Sequence, residues 1–166
     1  MSPRAVLLVL AVAAAALVAL GARHAIAGDG PPPAGGVVER VVDGDTVIVR
    51  ADGGVLRVRL LGIDTPETVD PDRPVGCFGP EASAYTKHLL TGRSVRLVYD
   101  RELHDRYGRL LAYVYLRGRF VNASLIELGY ARTLSIPPNT AHAAELASLE
   151  RRAALDGRGL WGACAT

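Results

Sequence analysis

The stretch Val55-Leu-Arg-Val-Arg-Leu-Leu-Gly-Ile-Asp-Thr-Pro-Glu67 combines a strand pattern, a turn and a group of charged side chains. Aliphatic and arginine side chains alternate between Leu56 and Leu60, with the two-residue period of a β-strand. This alternation places Arg57 and Arg59 on the face opposite the aliphatic side chains. An arginine on the inner face of a small barrel would need a charged partner. The stretch therefore predicts a strand that ends beside a charged site.

The sequence on both sides of this stretch predicts a small barrel that carries helices. Strands are predicted at residues 37–42, 46–50, 55–61, 94–99 and 110–116, because β-branched residues there are bounded by turn residues. Three helices are predicted, one from Pro80 to just before Gly92, one capped by Asn122 and one from a Thr140 cap to about residue 155. Five strands and three helices with a hairpin-rich first half indicate the α+β class and a closed β-barrel.

The first residues resemble an export signal. A positive start at Arg4 precedes an apolar run over residues 5–22, and Ala25-Ile-Ala27 supplies small residues for cleavage. The segment 1–27 is therefore predicted to be a signal peptide, with an uncleaved membrane anchor as the alternative. Residues 28–36 then form a Gly/Pro linker, residues 37–162 the domain and residues 163–166 a tail. Either form of the leader makes the domain secreted or extracytoplasmic, and only an uncleaved leader involves a membrane.

The charge balance of the exported part gives no support for nucleic-acid binding by bulk attraction. The chain has 19 basic and 17 acidic residues, and removing Arg4 and Arg23 with the leader leaves 17 of each. Any attraction for a polyanion must then come from the local placement of arginines.

Cys77 and Cys164 are the two cysteines of the chain. An even number in an exported protein favours a disulfide, which would close most of the domain and fasten the tail. It would contribute about 4 kcal/mol in the chain-entropy treatment. Two unpaired cysteines that act as small hydrophobic residues are the alternative.

Carboxylates and arginines near predicted strand ends indicate a reaction class. Asp45 and Asp64, with the carbonyl of Thr65, can supply hard oxygen ligands to a divalent cation. Glu67 is then a spare carboxylate that can act on a water, and arginines match the oxygens of a phosphate. This equipment suits hydrolysis of a phosphodiester. The plainer alternatives remain open, since Asp45 also suits an ordinary turn and Glu67 an exposed loop.

Five blocks of sequence resemble the staphylococcal nuclease (thermonuclease) family, in the order in which that family has them. They are Val-Asp-Gly-Asp-Thr-Val, Arg-Leu-Leu-Gly-Ile-Asp-Thr-Pro-Glu, Phe-Gly-Pro-Glu-Ala-Ser-Ala-Tyr-Thr-Lys, Asp-Arg-Tyr-Gly-Arg-Leu-Leu-Ala-Tyr-Val and Val-Asn-Ala-Ser-Leu-Ile. The resemblance runs from about residue 37 to residue 161. It implies a five-stranded OB-fold barrel and a monomeric, calcium-dependent nuclease that cleaves DNA and RNA to 3′-phosphorylated products.

The resemblance also assigns residues to roles. It makes Asp45, Asp64 and the Thr65 backbone the ligands of Ca²⁺, and Glu67 the general base. The two phosphate-binding arginines are Arg59 and Arg109.

The stretch around Tyr107 carries two weaker assignments. The resemblance places Tyr107 near the substrate phosphate, with local packing in the turn as the alternative. Arg106 is at most a contact to the nucleic-acid backbone, and an exposed arginine without a role is the alternative.

The sequence departs from the family in one region. Residues 132–138 contain no aromatic side chain, whereas the family's type member stacks a base on tyrosines there. Base stacking contributes about 1–3 kcal/mol per base, so weaker binding or an altered base preference is expected. Asp70 and Asp72, with Arg73 as the one basic residue of the loop after Asp64, would also repel a polyanion. A non-catalytic OB-fold module that binds nucleic acid or protein is the rival interpretation.

Overall fold

The computed structural model describes residues 31–72 and 74–164. The predicted leader, residues 1–27, therefore lies outside the described residues, as do Arg73 and the last two residues of the tail. Within the described ranges, no helix has the length and apolar character needed to cross a membrane.

Five strands close into a barrel, which confirms the fold predicted from the sequence. Strand β3 pairs with β2, β2 with β1, β1 with β5 and β5 with β6, all antiparallel, and a parallel pairing of β3 with β6 closes the ring. A closed five-stranded barrel with helices packed around it is the OB-fold arrangement. The barrel strands are β1 (Gly35–Val41), β2 (Thr46–Ala51), β3 (Gly54–Leu60), β5 (Ser94–Val98) and β6 (Leu110–Leu116).

The alternation in β3 has the predicted effect on burial. Val58 and Leu60 are almost fully buried in the core, whereas Arg57 is exposed on the opposite face of the strand. Arg59 shares the face of Arg57, so it lies outside the core of the barrel and is covered there by the chain that follows β3.

Three short strands were not predicted: β4 (Gly62–Asp64), β7 (Arg119–Phe120) and β8 (Arg132–Leu134). They have at most three residues each, which is too few for a two-residue period to be recognised. Strand β4 exists because it pairs with β8, about 70 residues later in the chain, with Ile63 opposite Thr133. This two-stranded sheet fixes the end of the stretch that carries Asp64.

In the described ranges the helices are α1 (Gly79–Leu90), α2 (Val121–Glu127), α3 (Ala143–Leu155) and α4 (Leu160–Ala163). These ranges thus contain the short helix α4 in addition to the three helices that the sequence predicted. Both predicted caps were wrong. Asn122 lies inside α2, fully buried, and Phe120 precedes the helix as its cap residue. His142 takes the cap position of α3, while Thr140 acts through its backbone carbonyl, which accepts the N–H of Ala143.

Asn122 lies inside the helix and not at its cap, because its side chain forms hydrogen bonds with the barrel. Its amide oxygen accepts the N–H of Val114 in β6 at 2.9 Å, and its amide nitrogen donates to the carbonyl of Leu61 at 2.8 Å. A buried amide that satisfies two backbone groups outweighs the local preference for a cap. The contact ties α2 to the segment between β3 and β4.

A disulfide joins Cys77, in the turn before α1, to Cys164, directly after α4. The two Cα atoms are 5.9 Å apart, and the bond connects positions separated by 87 residues. It fastens the end of the described chain to the long loop that follows β4.

Candidate active site

Asp45 lies in the turn between β1 and β2 and is 5% exposed. Its Oδ2 accepts the backbone N–H of Thr65 at 2.8 Å and the Thr65 hydroxyl at 3.0 Å. A Cβ added to Gly44 would lie 2.7 Å from the side chain of Thr65, so only glycine allows this approach. The hydroxyl of Thr86 in α1 donates to the Gly44 carbonyl at 2.9 Å and holds the turn from the helix side.

Arg59 connects this turn to the end of β4. Its Nη2 lies 3.2 Å from Oδ2 of Asp45 and 2.9 Å from Oδ1 of Asp64. Its Nη1 donates to the carbonyls of Leu60 and Ile63 at 2.9 and 2.8 Å. The side chain of Arg59 is only 12% exposed, and it has the charged partners that a buried arginine was expected to need. The two predicted metal-ligand carboxylates therefore converge on one guanidinium nitrogen.

The turn before β2 carries concentrated negative charge. Burial, and after it the charge of Asp45, raises the pKa of Asp43 to about 6. The Asp43 carboxylate in turn accepts the N–H of Asp45 at 3.2 Å. Asp43 and Asp45 are thus packed side by side, and Arg59 contacts the second of them.

Glu67 begins the long loop between β4 and α1. Its Oε1 accepts three backbone N–H groups, those of Thr68 and Val69 at 2.8 Å and that of Asp70 at 3.1 Å. Its backbone carbonyl accepts the N–H of Gly76 at 2.8 Å. The loop therefore wraps around the glutamate and fixes the direction of its carboxylate.

A cleft of about 500 Å³ opens beside Arg59. The turn after β5 supplies one wall, where Arg109 Nε donates to Asp105 Oδ2 at 2.6 Å. Tyr107 is 68% exposed, and its hydroxyl accepts Nη2 of Arg106 at 2.7 Å. The cleft is lined by Arg59, Leu60, Leu61, Gly62, Ile63, Glu102, Asp105, Arg106, Tyr107, Arg109, Leu111, Leu134, Ile136 and Asn139.

The structure brings most of the predicted site residues together in two groups. Asp45 and Asp64 contact Arg59, and Thr65 contacts Asp45. Arg106, Tyr107 and Arg109 line the cleft that Arg59 also lines, whereas Glu67, in the loop after β4, is not among the lining residues. Arg59 belongs to both groups and is the link between them.

Part of the cleft lining is aliphatic and exposed. Leu134 and Ile136 lie on it and are 40% and 59% exposed. This is the segment in which the sequence lacks aromatic side chains, and the structure places it at the cleft.

Asp105 and Asn139 are site residues that the sequence reasoning missed. Oδ1 of Asp105 accepts the N–H of Tyr107 and of Arg109, both at 2.9 Å, so it shapes the turn that presents the arginine. Asn139 bonds to the N–H and the carbonyl of Glu102 through its amide, each at 2.8 Å. An aspartate two residues before the bonded N–H is an Asx-turn signal that could have identified Asp105. Asn139 gave no local signal, because its partner is far away in the chain.

Residues 57–163 match the family model described as staphylococcal nuclease homologue. The chain belongs to the staphylococcal nuclease family. The resemblance drawn from the five sequence blocks is thereby confirmed.

The curated relatives that this chain matches support its membership of the family. The chain is 53% identical over 103 residues to the thermonuclease of Staphylococcus intermedius, covering 62% of this chain and 61% of that protein. It is 44% identical over 124 residues to the thermonuclease of Staphylococcus hyicus, covering 75% and 73%. It is 39% identical over 126 residues to the SPbeta prophage-derived endonuclease YokF of Bacillus subtilis, covering 75% and 43%. The match to the first of these thus spans about three fifths of that relative's length.

The donor set of this nuclease-family site fits a hard divalent cation. In the described part of the chain, no three His, Cys, Asp or Glu side chains form a metal-binding group. The ligands that the resemblance predicts are two carboxylates, those of Asp45 and Asp64, with the backbone carbonyl of Thr65. All are oxygen donors, the type that calcium and magnesium prefer, and both carboxylates already lie within reach of one cationic nitrogen.

Proposed function

We propose that this chain is an exported, calcium-dependent nuclease that hydrolyses DNA and RNA and leaves 3′-phosphorylated products. The nuclease class, and with it phosphodiester hydrolysis, follows from family membership. The observation that carries the finer proposal is the position of Arg59, whose Nη2 lies between the carboxylates of Asp45 and Asp64 at the edge of an open cleft. A phosphate-binding cation and two hard-oxygen ligands thus meet at one place.

Two arginines stabilise the charge that develops on phosphorus. Arg109 uses Nε for Asp105, so the outer edge of its guanidinium, with Nη1 and Nη2, can donate to phosphate oxygens. Arg59 also lines the cleft and exchanges a carboxylate contact for a phosphate contact when substrate binds. Donors aimed at developing negative charge each contribute about 2.7–4 kcal/mol to lowering the barrier.

Glu67 accepts the proton of the attacking water. The three N–H groups on Oε1 hold the carboxylate in one direction, which prepares it to orient a water before the reaction. The water then attacks phosphorus, its proton passes to Glu67 and the 5′ oxygen leaves.

Asp45, Asp64 and the Thr65 carbonyl would hold a calcium ion. Bound there, the ion supplies positive charge that offsets the charge of the phosphate. A cation held there would compensate the charge of the two carboxylates beside Arg59, whose guanidinium could then face the substrate.

Substrate contacts beyond the phosphate are proposed to be few. Tyr107 and Arg106 lie on the exposed wall of the cleft and can meet a neighbouring phosphate or sugar. Leu134 and Ile136 offer an aliphatic surface that does not distinguish among bases by hydrogen bonds. We therefore propose little sequence preference and a modest affinity, with the nuclease acting as a monomer.

Residues 1–27 are proposed to be a signal peptide or an anchor, followed by a linker. The predicted linker of residues 28–36 is shortened, because β1 already begins at Gly35, and the catalytic domain extends to Ala163, the last residue of α4. Sequencing the amino terminus of protein recovered outside the cytoplasm tests the leader. A mature terminus near Gly28 supports cleavage, whereas an intact leader in the membrane fraction supports the anchor.

The test of the activity uses single-stranded DNA and RNA labelled at the 5′ end, incubated with the purified protein in calcium and in chelator. Cleavage is expected in calcium only, and the products are expected to resist extension by a polymerase until a phosphatase removes the 3′ phosphate. Glu67→Gln is expected to lower turnover to a small residual rate that can still be measured, while substrate still binds.

Two controls make the result decisive. Glu81→Gln removes an exposed carboxylate at the start of α1 and is expected to leave turnover unchanged. A folded protein that binds nucleic acid but cleaves neither substrate in calcium would contradict the proposal and favour the non-catalytic module.

A further inference from the structure

The loop that carries Glu67 folds back on itself. The N–H of Gly76 donates to the carbonyl of Glu67 at 2.8 Å, and the N–H of Gly79 donates to the carbonyl of Gly76 at 2.9 Å. A Cβ added to Gly76 would lie 2.8 Å from Cβ of Pro66, and one added to Gly79 would lie 3.1 Å from the Glu67 carbonyl oxygen. The turn at residues 76–79 is therefore in direct contact with the backbone on both sides of Glu67.

That turn is attached covalently to a rigid part of the molecule. Cys77 is bonded to Cys164, which directly follows α4. The first residue of α4, Leu160, is 2% exposed, and its N–H donates to the carbonyl of Gly129 after α2 at 2.9 Å. The disulfide thus connects the Glu67 loop to the helices that pack on the barrel.

The turn adopts a conformation that needs external support. Phe78 has a φ of 66°, in the left-handed region that a non-glycine residue adopts only at a cost. Its ring stacks on Tyr130 with centroids 5.4 Å apart, which adds to the hydrogen bonds that hold the turn. On loss of the covalent bond, the turn is expected to relax toward a less strained conformation and to move the backbone of Glu67 with it.

We propose that the Cys77–Cys164 disulfide positions Glu67 for proton transfer, so that the nuclease needs this bond for full turnover and not only for stability. The inference rests on the proposed role of Glu67 as the general base. Cys77 and Cys164 are positioning residues that act through the turn at residues 76–79. Reduction by a dithiol transfers two electrons and two protons to the disulfide, giving two thiols and one oxidised dithiol, and would lower turnover in the same way.

The experiment compares four proteins: the wild type, Glu67→Gln, the double variant Cys77→Ser/Cys164→Ser, and the variant with all three substitutions. Turnover and KM are measured in calcium, at a temperature well below the melting point of the least stable protein. Displacement of a catalytic group by about 1 Å can cost about 100-fold. We expect a loss of that order in kcat for the double serine variant, with KM changed less than about threefold.

The triple variant distinguishes positioning from a purely stabilising role. If the disulfide acts through Glu67, removing it from Glu67→Gln causes little further loss, because residues that act as a unit are not additive. Val95→Ala, a truncation in the core of β5, is the matched control and is expected to lower the melting temperature while kcat stays unchanged. If the double serine variant keeps wild-type kcat below its melting temperature, the inference is overturned.

Failure of the proposed function and failure of the role of the disulfide would give different results. An inactive wild type, or a Glu67→Gln variant with normal turnover, contradicts the proposed function itself, whereas a fully active double serine variant contradicts only the role of the disulfide. If the serine variants do not fold, the folded wild type is reduced with dithiothreitol at the assay temperature. Its kcat is expected to fall and to return on reoxidation while circular dichroism stays constant, and unchanged turnover with two titratable thiols would overturn the inference.

Discussion

At the scale of single residues, Arg59 combines a structural and a chemical role. One terminal nitrogen contacts the carboxylates of Asp45 and Asp64. The other donates to the backbone carbonyls of Leu60, the last residue of β3, and Ile63 in β4. A lysine has one ammonium group on a flexible stem and cannot make these contacts together. The geometry therefore favours arginine over lysine at this position.

We predict that Arg59→Lys lowers kcat by about 10²–10³-fold, the usual cost of one lost transition-state donor. The melting temperature should fall as well, because the carbonyls and carboxylates that accept hydrogen bonds from Arg59 would lose a donor. Steady-state kinetics and thermal unfolding in calcium measure the two effects. Arg57→Lys, on the exposed part of the same strand face, is the control and should change neither. Near-normal turnover in Arg59→Lys would refute the assignment.

At the scale of elements, the turn at residues 105–109 is organised by one carboxylate. Burial tends to raise the pKa of Asp105, but the hydrogen bonds and charge of Arg109, with the N–H of Tyr107, outweigh it and hold the pKa below its usual value. A carboxyl group whose pKa is lowered by folding adds stability at pH values above its unfolded pKa of about 3.9. That contribution is lost as the pH falls through the lower folded-state value.

We predict that Asp105→Asn is less stable than the wild type at neutral pH and that the difference shrinks as the pH falls below about 4. Activity should also drop, because Arg109 loses the partner that orients it. Urea unfolding at a series of pH values measures the first effect. Glu102→Gln is the control, because the hydrogen bonds described for Glu102 are made by its backbone and not by its carboxylate. A stability difference that is constant with pH would show that the charge of Asp105 has no such role.

Helix α2 is held to the barrel by Asn122, which lies within it. Replacing Asn122 by alanine leaves the N–H of Val114 and the carbonyl of Leu61 buried without this partner. We predict a loss of about 1–3 kcal/mol in the free energy of unfolding. Denaturant unfolding measures it, with Glu127→Ala at the exposed end of α2 as the control, expected to stay within about 0.5 kcal/mol. A loss no larger than that of the control would mean that water replaces the amide.

At the scale of the whole molecule, calcium binding is expected to stabilise the fold. The two ligand carboxylates come from different segments that folding brings together, so the ion binds the native state and not the unfolded chain. At a free calcium concentration about 100 times its Kd, the gain in stability is about 2.7 kcal/mol. Thermal unfolding in calcium and in chelator should show this difference for the wild type and lose it in Asp64→Asn.

The control for calcium binding is Asp52→Asn, which alters an exposed carboxylate in the β2–β3 hairpin. It should keep the full calcium-dependent shift. Equal melting temperatures with and without calcium in the wild type would contradict the ligand assignment, whatever the activity shows.

The sequence by itself determined the barrel and the family. Its five barrel strands each have at least five residues, enough for the two-residue period and the turn residues to be recognised. The sequence also predicted, from contiguous motifs, that four site residues would come together: Asp45, Arg59, Asp64 and Thr65. They meet in the structure because the motifs flank strands that are neighbours in the barrel.

Tertiary structure alone decided the features that depend on distant partners. Strand β4 is extended because β8 pairs with it, and Asn122 lies inside α2 because groups of β6 and of the β3–β4 segment need its amide. Asn139 is held in the cleft wall by its hydrogen bonds to the backbone of Glu102, 37 residues away in the chain. A local pattern records the preferences of neighbouring residues, whereas these positions are set by buried hydrogen bonds whose partners become neighbours only after the chain has folded.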